Sequence, residues 1–150
     1  MITKFKNPQT FALNITKNIK QIGENGCLAM CYMYCMGIDE DYYIGLLNDA
    51  INDGAYKSGI DKDCWVADAP KFIKYLSGRN VSVTKENIDI KKIKGPYPVR
   101  FTYNKKSHWV VVKNGVIVFN SLEYSNCVAN GKPVDLPAPD GPAVRVIKFL

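Results

Sequence analysis

The chain has 150 residues, of which 47% are hydrophobic, and its 20 Lys and Arg against 14 Asp and Glu give a net charge of +6. This length and composition exclude a disordered chain and predict one globular domain with a single core. Because the lysines are spread along the chain rather than gathered on a basic helix with interleaved aromatic residues, we expect no nucleic-acid partner.

The N-terminal stretch, residues 1–20, has no regular pattern, and Asn7-Pro8 disfavours a helix there. It contains no apolar segment typical of a signal peptide, and no apolar run anywhere in the sequence is long enough to cross a membrane. We therefore expect a cytoplasmic protein without membrane insertion. A phage-encoded or host-delivered protein is the alternative that remains open.

Residues after this stretch have helical periodicity. The apolar segment 26–36 predicts a central buried helix with Asn25 as its N-cap and Gly37 as its end, preceded by a loop that carries Gln21. Two further helices are predicted, one from Asp39 or Asp41 to near Gly54 and one from about Trp65 or Asp68 to Ser77.

After Gly78 the pattern changes from helical periodicity to alternation, which indicates strands. Five strands are predicted, over residues 81–83, 98–103, 108–112, 116–120 and 143–150, and the proline-containing segment 135–142 is predicted to be a loop. Helices followed by strands predict an α+β fold in which helices pack on an antiparallel sheet. We expect one domain over residues 1–150.

The hairpin between the third and fourth of these strands has two competing turn geometries. Asn114-Gly115 favours a two-residue type I′ turn. With strict alternation along both strands, that turn would place the Asn120 side chain on the opposite face from His108. We therefore predict a three-residue turn with a bulge and positive φ at Gly115 but not at Asn114, and Asn120 within hydrogen-bonding reach of the His108 ring.

Four residue types that cooperate in cysteine hydrolases occur in order along the chain, as Gln21, Cys27, His108 and Asn120. Cys27 opens the predicted central helix, where unpaired N–H groups and the helix dipole favour negative charge. We therefore expect the pKa of its thiol to be lowered toward the reactive thiolate. His108 is the single histidine of the chain and can accept the thiol proton.

The spacing resembles the papain-like cysteine peptidase superfamily. Gln21 lies six residues before Cys27, and the helix opens with Cys27-Leu28-Ala29-Met30, as in the bacterial double-glycine leader peptidases that process bacteriocins. The apolar run 109–112 after His108 is similar to the same group. A strand that ends in Asn120-Ser121, followed by the segment 125–131, resembles related small phage- and plasmid-borne proteins of unknown function.

The resemblance implies a role for each of the four residues. Cys27 would be the nucleophile, His108 the general base and acid, and Asn120 the residue that orients the imidazole. Papain also has Asn as this third residue, whereas the leader peptidases have Asp. Gln21 and the backbone N–H of Cys27 would form the oxyanion hole. The resemblance implies a peptide or protein substrate and no cofactor.

Three of the five cysteines, Cys27, Cys31 and Cys35, are spaced four residues apart and fall on one face of the predicted helix. A zinc site would need four ligands and usually has tighter spacing, so we expect no metal and interpret Cys31 and Cys35 as small packing residues. An odd number of cysteines without a signal peptide also argues against a disulfide framework.

The predicted function is a cysteine peptidase, a thiol hydrolase that cleaves amide bonds. Two alternatives remain open from the sequence. One is a cell-wall amidase or endopeptidase that uses the same triad on peptidoglycan. The other is a papain-like binding or inhibitory protein of phage origin that has the shape without turnover.

Overall fold

The structure, a computed structural model, describes residues 17–122, 127 and 143–150. Within these residues five helices precede five strands along the chain. The helices are α1 (Lys17–Asn25), α2 (Cys27–Cys35), α3 (Tyr43–Asp53), α4 (Ala55–Ser58) and α5 (Ala69–Ser77), and short 3-10 turns cover Glu40–Tyr42 and Ile90–Lys92. The strands are β1 (Val81–Asn87), β2 (Tyr97–Tyr103), β3 (Lys106–Lys113), β4 (Val116–Phe119) and β5 (Ala143–Phe149).

The strands form one antiparallel sheet in the order β1-β5-β2-β3-β4, so the last strand of the chain lies between β1 and β2. This arrangement confirms the predicted α+β fold. The predicted loop 135–142 and the first sixteen residues of the predicted entry segment lie outside the described residues. None of the helices in the described part of the chain has the length and apolar character needed to span a lipid bilayer.

Both faces of the sheet are covered by buried side chains. The helix face, on which α2 packs, carries Val81, Trp109, Val111, Phe119 and Ile147. The far face carries a second buried cluster, made of Ile93, Val99, Phe101, Val110, Val112, Cys127, Val144 and Val146. A sheet buried on both faces explains why β3 and β5 have nearly continuous apolar runs.

Helix α2 forms where the apolar segment predicts it, but its start differs from the prediction. Asn25 ends α1 instead of capping α2, and Gly26 takes the N-cap position without a side-chain hydrogen bond. The Gly26 N–H donates to the Ile22 carbonyl at 2.8 Å, so the two helices meet almost without a break. Gln21 therefore lies on a helix, and the prediction of a loop there is wrong.

The boundaries of the next helices follow their caps. Asp39 accepts a hydrogen bond from the Asp41 N–H at 2.9 Å and starts the 3-10 turn that leads into α3. Asp68 accepts one from the Lys71 N–H at 3.1 Å and caps α5, which ends at Gly78 with a φ of 73°. Both helices were predicted from these residues.

The hairpin between β3 and β4 keeps the local turn preference. Asn114 and Gly115 both have positive φ, 52° and 76°, and Lys113 pairs with Val116. This is the two-residue geometry that Asn-Gly favours, so the predicted three-residue turn is wrong. Two hydrogen bonds reinforce the turn, because the N–H groups of Asn114 and Gly115 donate to the Lys94 and Ile93 carbonyls.

A bulge further along β4 changes which face the later residues occupy. Val112 pairs with Ile117, but Val111 pairs with Phe119, so Val118 is an extra residue in the strand. By continuation, Asn120 falls opposite Val110, on the far face that His108 also occupies. The bulge predicted at Gly115 is absent, and a different bulge, at Val118, brings His108 and Asn120 to the same face.

Candidate active site

His108 and Asn120 are in direct contact. The His108 ring is only 4% exposed, and its Nε2 lies 2.7 Å from the Asn120 Oδ1. The Leu122 N–H also donates to this Oδ1, at 3.1 Å, and holds the amide in place. The predicted reach between the two side chains is confirmed.

This contact determines the tautomer of the neutral imidazole. An amide oxygen can only accept hydrogen bonds, so the Nε2 of His108 must carry the proton. In the neutral ring Nδ1 then has a free lone pair and is the nitrogen able to accept a proton. The basic nitrogen of His108 is thus Nδ1, the ring nitrogen that does not contact Asn120.

Cys27 lies at the start of α2 and is 9% exposed. The backbone groups of Trp109, the residue that follows His108, and of Leu28 and Cys27 itself lie close enough to the sulfur to lower the pKa of the thiol. The thiol therefore lies beside β3 near Trp109, one residue after His108. The described residues include no direct hydrogen bond between the Cys27 sulfur and the His108 ring.

The protonation state of this pair is governed by burial. Burial raises the pKa of Cys27, although the backbone hydrogen bonds from Trp109, Leu28 and Cys27 lower it in part. Burial also lowers the pKa of His108, against the opposing effect of the Asn120 hydrogen bond. The neutral thiol and neutral imidazole are thus favoured, and the expected lowering of the Cys27 pKa is wrong for this conformation.

The Gln21 side chain is hydrogen-bonded to the loop that precedes Cys64. With its Nε2 oriented toward acceptors, the side chain donates to the Lys62 carbonyl at 3.2 Å and to the Asp63 Oδ1 at 2.9 Å. The Asn25 Nδ2 donates to the Asp63 carbonyl at 2.9 Å, so the same loop secures the end of α1. The structure brings His108 and Asn120 together but ties Gln21 to residues 62–63.

That loop is the part of the site that sequence reasoning missed. Asp61 organises it, because its Oδ1 accepts from the N–H groups of Asp63 and Trp65 at 2.9 and 3.0 Å. Cys64 is buried with a φ of 65°, and burial, together with the smaller effects of Cys27 and Asp61, raises its pKa to about 12. An Asp followed by turn residues signals such a loop, but no local signal shows that it lies against α2.

The other helix cysteines are packing residues, as predicted. Cys31 is fully buried, and Cys35 is partly buried. Burial raises the pKa of Cys31 well above its usual range and that of Cys35 to about 12. The described residues contain no group of three His, Cys, Asp or Glu side chains arranged to hold a metal ion.

A groove of about 320 Å³ lies along α2, on the side of the helix that carries Leu28 and Tyr32. Leu28 and Tyr32, one turn apart on α2, form one wall, and Lys85 and Arg145 come from the sheet. The opposite wall is the segment 66–70 at the start of α5. No local pattern in the sequence identifies this groove, because Lys85 and Arg145 come together only through the pairing of β1 with β5.

Comparison of the chain with protein-family models, with curated proteins and with solved structures finds no match.

Proposed function

We propose that the protein is a cysteine peptidase with a papain-like arrangement, a thiol hydrolase that cleaves amide bonds in a peptide or protein substrate. The observation that supports this proposal is the buried contact between His108 and Asn120, 2.7 Å long, on the strand whose Trp109 backbone meets the thiol of Cys27. This contact leaves Nδ1 as the ring nitrogen of His108 that can accept the proton of a thiol.

In the proposed reaction the His108 Nδ1 takes the Cys27 proton as the sulfur attacks the substrate carbonyl. This step requires the imidazole, on the far face of β3, to approach the start of α2, which packs on the helix face. Because the resting pair is neutral, this transfer occurs when substrate occupies the site, and Asn120 stabilises the imidazolium through Nε2. His108 then protonates the leaving amine, and water hydrolyses the acyl-enzyme.

The oxyanion that forms in this step needs hydrogen-bond donors. The Cys27 backbone N–H at the start of α2 is one candidate. Gln21 is the second, and its amide would have to exchange the Lys62 and Asp63 acceptors for the oxyanion. Loss of one such donor lowers the rate by about 100-fold or more.

A papain-like binding protein without turnover is the second candidate. The position of Gln21 favours it, because the proposed oxyanion donor is engaged elsewhere. The raised pKa of Cys27 points the same way, since the resting thiol is a weak nucleophile.

Labelling with the epoxide inhibitor E-64 distinguishes the two candidates. We expect one equivalent to attach to Cys27, detected by peptide mass mapping, with a rate that falls at least tenfold in His108→Ala. Cys31→Ala is the matched control, since Cys31 lies on the same helix and is fully buried. No labelling, or equal rates in wild type and His108→Ala, would favour the binding protein.

A further inference from the structure

Two cations face each other across the pairing of β1 and β5. Lys85 is directly opposite Arg145, and by alternation both lie on the helix face with Val83 and Ile147. Like charges at directly opposite positions of a sheet destabilise it. Among the described residues neither side chain forms an ion pair, and both line the groove beside α2.

Arg145 is positioned by the residue whose backbone binds the Cys27 thiol. Its guanidinium lies 4.6 Å from the centre of the Trp109 ring and is half-buried. Burial lowers the pKa of Arg145, an effect that the nearby Tyr32 opposes. An anion bound at this guanidinium would be partly shielded from water, and the planar fork matches the two oxygens of a carboxylate.

The rest of the groove can accommodate the methylene groups of a ligand side chain. Leu28, Tyr32, Val66 and Pro70 supply apolar surface next to the cations. Among the described residues that line the groove, Asp68 is the one carboxylate, and its Oδ1 accepts from the Lys71 N–H as the cap of α5. The two cations therefore leave an excess of positive charge in the groove.

We propose that this groove binds the carboxylate of an acidic residue in the peptide substrate, a few residues from the bond that is cleaved. Leu28, the residue that follows Cys27 in the chain, is part of the groove wall, and Lys85 and Arg145 hold the carboxylate. The assignment of the ligand as substrate rests on the proposed peptidase function. The preference for a carboxylate rests on the groove alone.

Two isosteric alkylating peptides test the proposal without requiring turnover. Bromoacetyl-Gly-Glu-amide and bromoacetyl-Gly-Gln-amide form the same thioether with Cys27 and release bromide, and they differ only in the carboxylate. We expect the Glu reagent to alkylate Cys27 about fivefold faster than the Gln reagent at low salt, with the preference weakening as salt is added.

Variants then locate the preference. Lys85→Gln and Arg145→Gln should each bring the ratio of the two rates close to one, with iodoacetamide as the neutral reference for the thiol. Lys85 is exposed, so its variant tests the groove even if loss of the Arg145 stacking on Trp109 impairs folding. Lys148→Gln removes the same charge from an exposed position of β5 outside the groove lining and should leave the ratio unchanged.

The outcomes separate the groove from the peptidase. Equal rates for the two reagents in the wild type, or a ratio that Lys85→Gln leaves unchanged, would overturn the groove while the dependence of labelling on His108 still supports the peptidase. A Glu preference lost in Lys85→Gln, together with reactivity that His108→Ala does not alter, would support the groove and overturn the peptidase.

Discussion

The buried His108 ring links the chemistry of the site to the pH dependence of folding. Its pKa is lowered by burial in the folded protein, so between that value and the ordinary value of about 6.5 the unfolded chain binds a proton that the folded chain does not. Stability increases with pH where the unfolded state binds more protons. The folded protein should therefore lose stability as the pH falls below about 6.5.

The difference between wild type and His108→Gln isolates this contribution, because His108 is the single histidine of the chain. We expect the free energy of unfolding of the wild type to fall more steeply between pH 7 and 5 than that of the variant, measured by urea unfolding at each pH. Parallel curves would show that the His108 pKa is not lowered by folding. Carboxylates titrate in both proteins and cancel in the difference.

At the scale of elements, the junction of α1 and α2 is a close approach that only glycine permits. A Cβ on Gly26 would lie 2.3 Å from the Ile22 carbonyl oxygen, although the backbone there has an ordinary φ of −80°. We expect Gly26→Ala to lower the free energy of unfolding by about 2 kcal/mol. The same change should displace the start of α2, so that E-64 labels Cys27 more slowly.

Gly45 provides the matched control. It lies inside α3, and a Cβ added there meets no atom within 4 Å. Gly45→Ala should stabilise the protein by about 0.5–1 kcal/mol, since alanine is the better helix former. If the two variants changed stability in the same direction, the packing explanation for Gly26 would be wrong.

The bulge in β4 depends on where Phe119 is buried. Its ring stacks on Tyr34 with a centroid distance of 5.0 Å and meets Tyr43 edge-on at 6.0 Å, on the helix face. A regular ladder from the Asn114-Gly115 turn would pair Val118 with Val111 and turn Phe119 to the far face. Burial of the larger aromatic ring explains why the extra residue is Val118.

Phe119→Ala should therefore affect both stability and the site. We expect a loss of about 3 kcal/mol in the free energy of unfolding. The change should also alter the register of β4, so that the His108 Nε2–H loses its hydrogen bond to Asn120. Nitrogen-15 NMR of the His108 ring would detect this loss. In contrast, Val118→Ala changes an exposed residue and should leave both readings nearly unchanged. An intact His108–Asn120 contact in Phe119→Ala would show that another contact maintains the bulge.

The successes and failures of the sequence predictions divide by the range of the interactions involved. The ends of α3 and α5 follow from neighbours in the chain, and local patterns predicted them. The Asn114-Gly115 turn also follows its local preference, which the prediction of a three-residue turn set aside. The position of Gln21, the bulge at Val118 and the pKa of Cys27 depend on contacts between distant segments. For Gln21 a local signal existed, because Lys20 and Glu24 form an i,i+4 ion pair at 3.7 Å that favours a helix.

On the scale of the whole molecule, the sheet is organised around its last strand. β5 lies between β1 and β2, and within the described residues β1 has no other strand partner. Its side chains enter both clusters, with Ile147 on the helix face and Val144 and Val146 on the far face. The central pairing therefore joins residues far apart in sequence, which predicts slow folding for a domain of this size.

Removal of residues 143–150 should consequently prevent cooperative folding of the domain, because these residues form an internal strand and not an edge strand. β1 would lose its pairing, β2 would gain an exposed edge, and both clusters would lose buried residues, so that no near-native core remains to hold His108 against Asn120. We expect the shortened chain to show no cooperative urea transition and no near-ultraviolet circular dichroism signal. Removal of Leu150 alone, which is 85% exposed, should leave the urea concentration at the midpoint of unfolding nearly unchanged. The opposite result would be a cooperative urea transition in the shortened chain, with the same dependence of the unfolding free energy on urea as in the full-length protein. It would mean that the helices and strands β2 to β4 fold without the central strand. The order of strands in the sheet would then need revision.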